Sequence, residues 1–247
     1  MATYESGQFN LAFTKSKSVI DYFNLMKYCC FLISLLILNF ASAKGITKFN
    51  QGDKVNVWVL KGIKLYSEPN SKSKPLSTIA YGSVVEILSS ETDSLKSFQG
   101  SITNDISRVP VMLKGHWVKI SFQQKQGYVF DGYLSRMPCL KLSKQGVSEE
   151  FETYIKRNYK GYFKKINKKK VEGIDFEENI YYYKGRVLLK DTAGDGCFDT
   201  AIYLKDVSYQ DARLFEKVYL NGGDAARDIK VEQQKNNLIK ISFYSCT

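Results

Sequence analysis

The sequence predicts a mainly β fold in two parts, a small barrel followed by an α+β domain with an antiparallel sheet and two helices. Three observations carry that expectation. The 247 residues are 44% hydrophobic and 14% aromatic, with 17 Tyr and 15 Phe, which is too apolar for a disordered chain and rich in residues that favour sheets. Short apolar runs broken by Gly, Pro and Ser recur from Val55 to Pro138, the pattern of a small barrel. From about Val147 to Thr247, strand-like runs are interrupted by two amphipathic stretches, as in a sheet with helices packed on it.

The first element in the chain is a leader. Met26 to Ala43 reads as a secretory signal peptide: Lys27 supplies the positive start, Tyr28 to Phe40 the apolar centre, and Ala41-Ser42-Ala43 the small-residue cleavage site. The apolar run falls short of the roughly 20 residues of a membrane helix, so no membrane span is expected after cleavage. Lys44 stands where a lipid-modified protein needs Cys. Residues 1–25 precede this signal, and a translation start at Met26 accounts for them more simply than a long leader supported only by Lys15 and Lys17. The expected division is therefore 1–43 for the extension and signal (core 26–43), 52–138 for the barrel and 147–247 for the α+β domain.

Within the barrel, Ile63 and Leu65 face one way and Lys64 and Tyr66 the other, so Leu60 to Tyr66 ends in a short strand. Ser67-Glu68-Pro69-Asn70 turns it: Pro69 presets a turn dihedral and Asn70 tolerates a left-handed one. Leu76 to Leu88 is a hairpin bent at Gly82, with Ile79, Val85 and Ile87 inward. Trp117-Val-Lys-Ile120 and Tyr128-Val-Phe130 make two further strands around Gln123 to Gly127. Between them, Ser89 to His116 is polar with apolar residues only at its ends. A connection of this length in a small domain reads as an inserted loop, either a lid or a floppy excursion.

These motifs, in this order, resemble the bacterial SH3 (SH3b) family: the Ser-Glu-Pro-Asn turn, Tyr81-Gly-Ser-Val-Val-Glu-Ile-Leu88, His116-Trp-Val-Lys-Ile120 and the closing Gly127-Tyr-Val-Phe-Asp-Gly-Tyr-Leu134. The resemblance spans roughly 55–138, about a third of the chain, and the 89–116 segment departs from the tight connection expected there. It implies a small β-barrel, outside the cytoplasm, attached to or working with cell-wall proteins.

Leu140 to Ser148 reads as a linker. A helix follows, with Ser148 as cap, Glu149 and Glu150 in its first turn, Lys156 and Arg157 in its last, and Val147, Phe151, Tyr154 and Ile155 on one face. Strands are expected near 161–166, 179–183, 187–190 and 197–204. The basic run Lys164-Lys-Ile-Asn-Lys-Lys-Lys170 reads as a solvated turn between strands, with a wall or membrane-surface contact as the other reading. A second helix from Tyr209 to Leu220 has a partial capping box in Ser208 and Asp211 and stops at Asn221-Gly-Gly. Two strands, 228–233 and 238–244, close the domain around Asn236-Asn237.

Chemistry is scarce. His116 is the single histidine, and it precedes Trp117 at a strand start, so Cys–His and His-rich metal sites lack their parts. No nucleophile elbow or phosphate loop is present. Asp191-Thr-Ala-Gly-Asp-Gly-Cys-Phe-Asp199 fails as a calcium loop, with Ala193 at position three and Ile202 at position twelve, and reads as a hairpin turn. No cofactor or metal is expected. Cys29 and Cys30 leave with the signal. Cys139, Cys197 and Cys246 allow one bridge in three pairings; Cys197–Cys246 is favoured because both stand at ends of predicted strands in the second domain, against three reduced thiols.

The chain carries a formal charge of +11, and the leader contributes only Lys15, Lys17 and Lys27 against Glu5 and Asp21, so the exported form stays basic. Export argues against a nucleic-acid partner and leaves anionic wall polymers and lipid head groups. The expected function is a non-catalytic exported envelope protein, periplasmic or extracellular, whose barrel binds a cell-wall peptide or an envelope-protein segment. Aromatic side chains between loops can clamp an extended peptide, which makes Tyr66, Trp117, Tyr128 and Tyr133 the candidate ligand-binding residues, with Asp131 beside them for a cationic or amide group. Some of these must also be core. Two alternatives are a partner-docking subunit of an envelope complex and a hydrolase with an acid-only site among Asp191, Asp195 and Asp199.

Overall fold

The computed structural model describes residues 48–89, 98–102, 110–221 and 226–246. The expected signal peptide, its cleavage site and Cys29–Cys30 lie outside the described residues. Among the described residues no helix is long and apolar enough to cross a membrane. The fold is mostly β, with antiparallel sheets and two α-helices among the described residues.

Seven strands wrap into the first sheet: β1 (Lys54–Val57), β2 (Ile63–Tyr66), β3 (Pro75–Ile79), β4 (Val84–Ser89), β7 (Trp117–Phe122), β8 (Lys125–Phe130) and β9 (Leu134–Ser135), in the order β3-β2-β8-β7-β4-β1-β9. Alternation drives Val55, Val57, Ile63, Leu65, Val85, Ile87, Val118 and Ile120 into one core, closed by Phe49 and Leu134. Gly62 makes the entry to β2 possible: its φ is +75°, and a Cβ there would stand 2.6 Å from the Ile79 carbonyl oxygen. The β7–β8 turn uses Gln123 and Gln124 at φ 47° and 64°.

The segment expected as one inserted loop carries two strands, β5 (Phe98–Ile102) and β6 (Val111–Gly115), paired antiparallel from Phe98–Gly115 to Ile102–Val111. Val111 and Leu113 alternate with exposed Met112 and Lys114, and Ile102, Val111 and Leu113 are buried. This ribbon is part of the packed structure.

The second sheet has six strands: β10 (Phe163–Val171), β11 (Ile174–Tyr183), β12 (Arg186–Gly194), β13 (Cys197–Lys205), β14 (Arg227–Gln234) and β15 (Leu238–Cys246), ordered β10-β11-β12-β13-β15-β14. Cys197 pairs with Cys246 in register, and the two are joined by a disulfide. The lysine run expected as a turn is instead the body of β10. Cross-strand pairing decides it: Lys168 and Lys170 stand opposite Glu177 and Asp175, with N–O separations of 3.3 and 3.9 Å. Strand β11 begins earlier than the expected 179–183 and takes in Glu177 and Glu178, and Asp191 lies inside β12, so the turn itself is only Asp195-Gly196.

Helix α1 spans Phe151–Asn158 and α2 spans Tyr209–Tyr219. Glu150 takes the cap position of α1; Ser148, the expected cap, gives its hydroxyl to the Tyr219 carbonyl at 2.8 Å, and Val147 stays exposed. α2 has a complete capping box, with Ser208 Oγ accepting from Asp211 N at 3.0 Å.

Residues 47–247 form one unit, and its second core explains why. Trp58, Leu113, Phe130 and Leu140 from the barrel side pack with Phe151, Tyr154 and Phe215 from the helices and Ile202 and Ile241 from the six-stranded sheet. Trp58 lies 5.9 Å from Phe215 ring to ring and donates its indole N–H to the Met137 carbonyl at 3.0 Å. The expected linker is bound into this layer: Leu140 is buried, its carbonyl accepts from Tyr81 Oη at 3.0 Å, and Leu142 bridges to Ser148. Lys48 reaches Asp211 at 2.9 Å, and Gln210 Oε1 accepts from the Lys114 amide at 3.0 Å.

Candidate functional site

Three of the four candidate aromatics, Tyr66, Trp117 and Tyr128, collect on β2, β7 and β8, and Tyr133 lies in the short turn that follows β8. Tyr66 stands opposite Tyr128, and Tyr128 opposite Lys119 in the next strand, so the side chains share one face. Tyr66 meets Trp117 edge to face with ring centres 5.5 Å apart. Tyr66 and Tyr128 are half-buried, while Trp117, 4% exposed, flanks Tyr66 on the same face. Neither Tyr66 nor Tyr128 belongs to either hydrophobic core, which leaves their exposed edges to solvent.

Tyr133 is more deeply committed. It sits edge to face with Phe130 at 5.0 Å, and the absence of a side chain at Gly100 lets β5 close over it, since a Cβ there would stand 2.6 Å from the Tyr133 hydroxyl. Burial raises its hydroxyl pKa, and a hydrogen bond with the Ser101 backbone opposes the rise. The β5–β6 ribbon therefore covers Tyr133.

Asp131 is 2% exposed and spent on local structure. Its Oδ1 accepts from the His116 amide at 2.8 Å, and its own amide donates to the His116 carbonyl at 2.9 Å, tying the end of β8 to the β6–β7 junction. Burial holds its carboxyl above the usual range, with Lys48 and the His116 amide pulling the other way. The structure places this carboxylate inside the junction, where the His116 amide takes one of its oxygens.

The acidic trio of the second domain is not brought together. Asp191 pairs with Thr200, and Asp199 pairs with Thr192, so strand alternation puts Asp191 and Asp199 on opposite faces of the sheet, with Asp195 in the turn. Cys139 is half-buried near the Val57 carbonyl, and burial pushes its thiol up to about 12. Among the described residues no group of three His, Cys, Asp or Glu could hold a metal ion.

Two contributors escaped the sequence reading. Trp58 anchors the barrel to the helices, and the Tyr66–Trp117 contact builds the aromatic edge; the spacing of the aromatics carried no sign of either pairing.

Residues 61–135 match the family model of the bacterial SH3 domain, a binding module of cell-wall-associated proteins. The match takes in β2 through β9, ribbon included, and none of the six-stranded sheet. No curated protein and no solved structure matches the chain.

Proposed function

We propose that this chain is a non-catalytic exported envelope protein whose barrel grips a wall peptide or an envelope-protein segment through the Tyr66–Tyr128 edge. The supporting observation is that two half-buried tyrosines stand opposite each other on adjacent strands, one of them edge to face with a buried tryptophan, inside the stretch that matches a wall-associated binding module. Rigid aromatic rings offer a large contact area at little conformational cost, which suits capture of an extended chain. The leader at Met26–Ala43 and the basic surface support export and attraction to anionic wall polymers.

The test is co-sedimentation with purified peptidoglycan sacculi, with a zymogram on the same material. Retention that falls at least fivefold in Tyr66→Ala and Tyr128→Ala, with no clearing in the gel, is the expected result. Clearing of the gel, or retention untouched by both substitutions, refutes the reading.

A second reading, a partner-docking subunit, draws on β10. It is an outer strand of the six-stranded sheet, and it exposes Phe163, Ile166 and Val171 beside its lysines. An outer strand presents unpaired backbone groups to another protein. Specific capture of one envelope protein without retention on sacculi favours this reading.

A further inference from the structure

A cavity of about 470 Å³ lies on the helix-facing side of the six-stranded sheet, lined only by residues that follow the barrel. Register builds its floor. Asn179 stands opposite Asp191, Asp191 opposite Thr200, and Thr200 opposite Phe243, so all four share a face and form one row. The neighbouring row on that face, Tyr181, Leu189, Ile202 and Ile241, is buried core. A carboxylate and an amide thus occupy positions where the same face otherwise supplies apolar packing. The first turn of α1 and the last residues of α2 form the walls, through Phe151, Glu152 and Tyr219. The volume falls in the range of small-ligand sites.

The hydrogen-bond inventory leaves acceptors over. Thr200 Oγ1 donates to Asp191 Oδ1 at 2.5 Å. Asn179 Nδ2 donates to Glu177 Oε1 at 3.3 Å, and Asn179 Oδ1 is buried with no hydrogen-bond partner among the described residues. Buried acceptors are normally satisfied, so this one calls for a donor.

Charge points the same way. Glu149, Glu150, Glu152 and Asp191 line the cavity against the single cation Lys164, in a chain that is otherwise strongly basic. Two of these carboxylates have partners of their own: Glu149 pairs with Arg157, and Glu152 with Lys156 at 2.7 Å. Lys164 sits over the Tyr181 ring at 5.2 Å, and Asp191 touches a hydroxyl rather than a cation. The rings of Phe198, Tyr219 and Phe243 complete the lining, and aromatic faces attract cations.

We infer that this cavity binds a primary ammonium group carried on a small apolar body, with Asp191 as counter-charge, Asn179 Oδ1 as hydrogen-bond acceptor, and Tyr219 and Phe243 against the apolar part. A primary ammonium has both the charge for Asp191 and the N–H for Asn179; a quaternary ammonium has only the first. The ammonium could belong to a free amine or to a lysine-type side chain of a peptide, and the test separates the two.

The full chain is titrated calorimetrically with phenethylamine, its N,N,N-trimethyl analogue, phenylacetate and the blocked peptide acetyl-Gly-Lys-Gly-amide. Phenethylamine is expected to bind at least tenfold more tightly than its trimethyl analogue, with phenylacetate not binding. Asp191→Asn, which keeps an acceptor for Thr200, should weaken phenethylamine at least tenfold, and Asp199→Asn on the opposite face should leave it unchanged. Asn179→Leu should weaken the primary amine several-fold without affecting the trimethyl analogue. Peptide binding equal to or tighter than phenethylamine assigns the site to a side chain, and binding of the free amine alone assigns it to a small molecule. Phenylacetate binding as well as phenethylamine, failure of both the amine and the peptide to bind, or full retention in an Asp191→Asn protein with native near-UV circular dichroism overturns the inference.

Discussion

Replacing Trp58 by Ala tests whether the barrel and the helix-backed sheet are one folding unit. Trp58 is 1% exposed, stacks its ring at a tilt on Phe215 and meets Tyr81 edge to face at 6.3 Å. Truncating a buried aromatic to Ala costs about 3–5 kcal/mol. The lost indole hydrogen bond adds little, because the Met137 carbonyl keeps its second donor, Asn56 Nδ2 at 3.0 Å. The expected loss is therefore about 4 kcal/mol, and in a chain of this size that lowers Tm by about 8–16 °C. Urea unfolding is followed by two probes. Far-UV circular dichroism reports mainly on the sheets, and Trp117, the one tryptophan left in the variant, reports on the barrel. Both midpoints should move together. A loss within about 0.5 kcal/mol, the range of ordinary surface changes, or a fluorescence midpoint that shifts while the dichroism midpoint stays, would refute the single folding unit.

Other expectations follow from single groups. Burial raises the Asp191 pKa, helped by Asp199 and opposed by Thr200 and Lys164, so its ionised form is penalised in the fold relative to the unfolded chain. That penalty is full above the folded pKa and vanishes as pH falls below the unfolded value of about 3.9. The stability of Asp191→Asn relative to the parent should therefore be greatest at neutral pH and decline on acidification, and thermal scans giving the same difference at pH 7 and pH 4 would contradict this. With its thiol pushed up to about 12, Cys139 should react very slowly with a thiol reagent at pH 8; an unfolded cysteine of pKa about 8.5 holds roughly a thousandfold more thiolate. Equal labelling rates in buffer and in urea would refute it. Ser208→Ala removes the acceptor for the Asp211 amide and should cost about 1 kcal/mol by chemical denaturation, an effect absent if the cap is dispensable.

The sequence displayed the barrel more openly than the second domain, for physical reasons. Gly62, Gly82 and the Ser67–Asn70 turn punctuate short alternating strands, and each punctuation reflects a backbone requirement visible in one residue. Ser208 with Asp211 marked the start of α2 in the same way. Strand β10 offered no such mark. Both of its faces are largely exposed, so alternation is absent, and its pairing depends on acidic residues of β11 whose partners lie on the neighbouring strand. Tertiary pairing overrode local propensity there. The aromatic edge was half legible. Tyr66 and Tyr128 stood out by type, but their mutual register, the contact of Tyr66 with Trp117 and the cover that β5 lays over Tyr133 arise from strands far apart in sequence. Asp131 looked available beside the tyrosines because nothing in sequence shows that the His116 amide claims it.

The shared core bears on how the two proposed binding surfaces would act together. Joined by a loose linker, they would engage a polymer over a spread of separations, with an effective concentration set by linker length. The connection from Leu140 to Ser148 is instead packed, hydrogen-bonded to Tyr81 and bridged at Leu142–Ser148, while Lys48–Asp211 and Lys114–Gln210 fix the same joint from the other elements. The Tyr66–Tyr128 edge and the Asp191 cavity thus hold one separation and one orientation. A molecule carrying groups for both gains from the second contact only when its own spacing matches, so avidity becomes a selector of ligand geometry rather than a general increase in grip. Loosening the joint with Trp58→Ala, under conditions where the variant stays folded, should then reduce retention on a spaced ligand more than affinity at either surface alone.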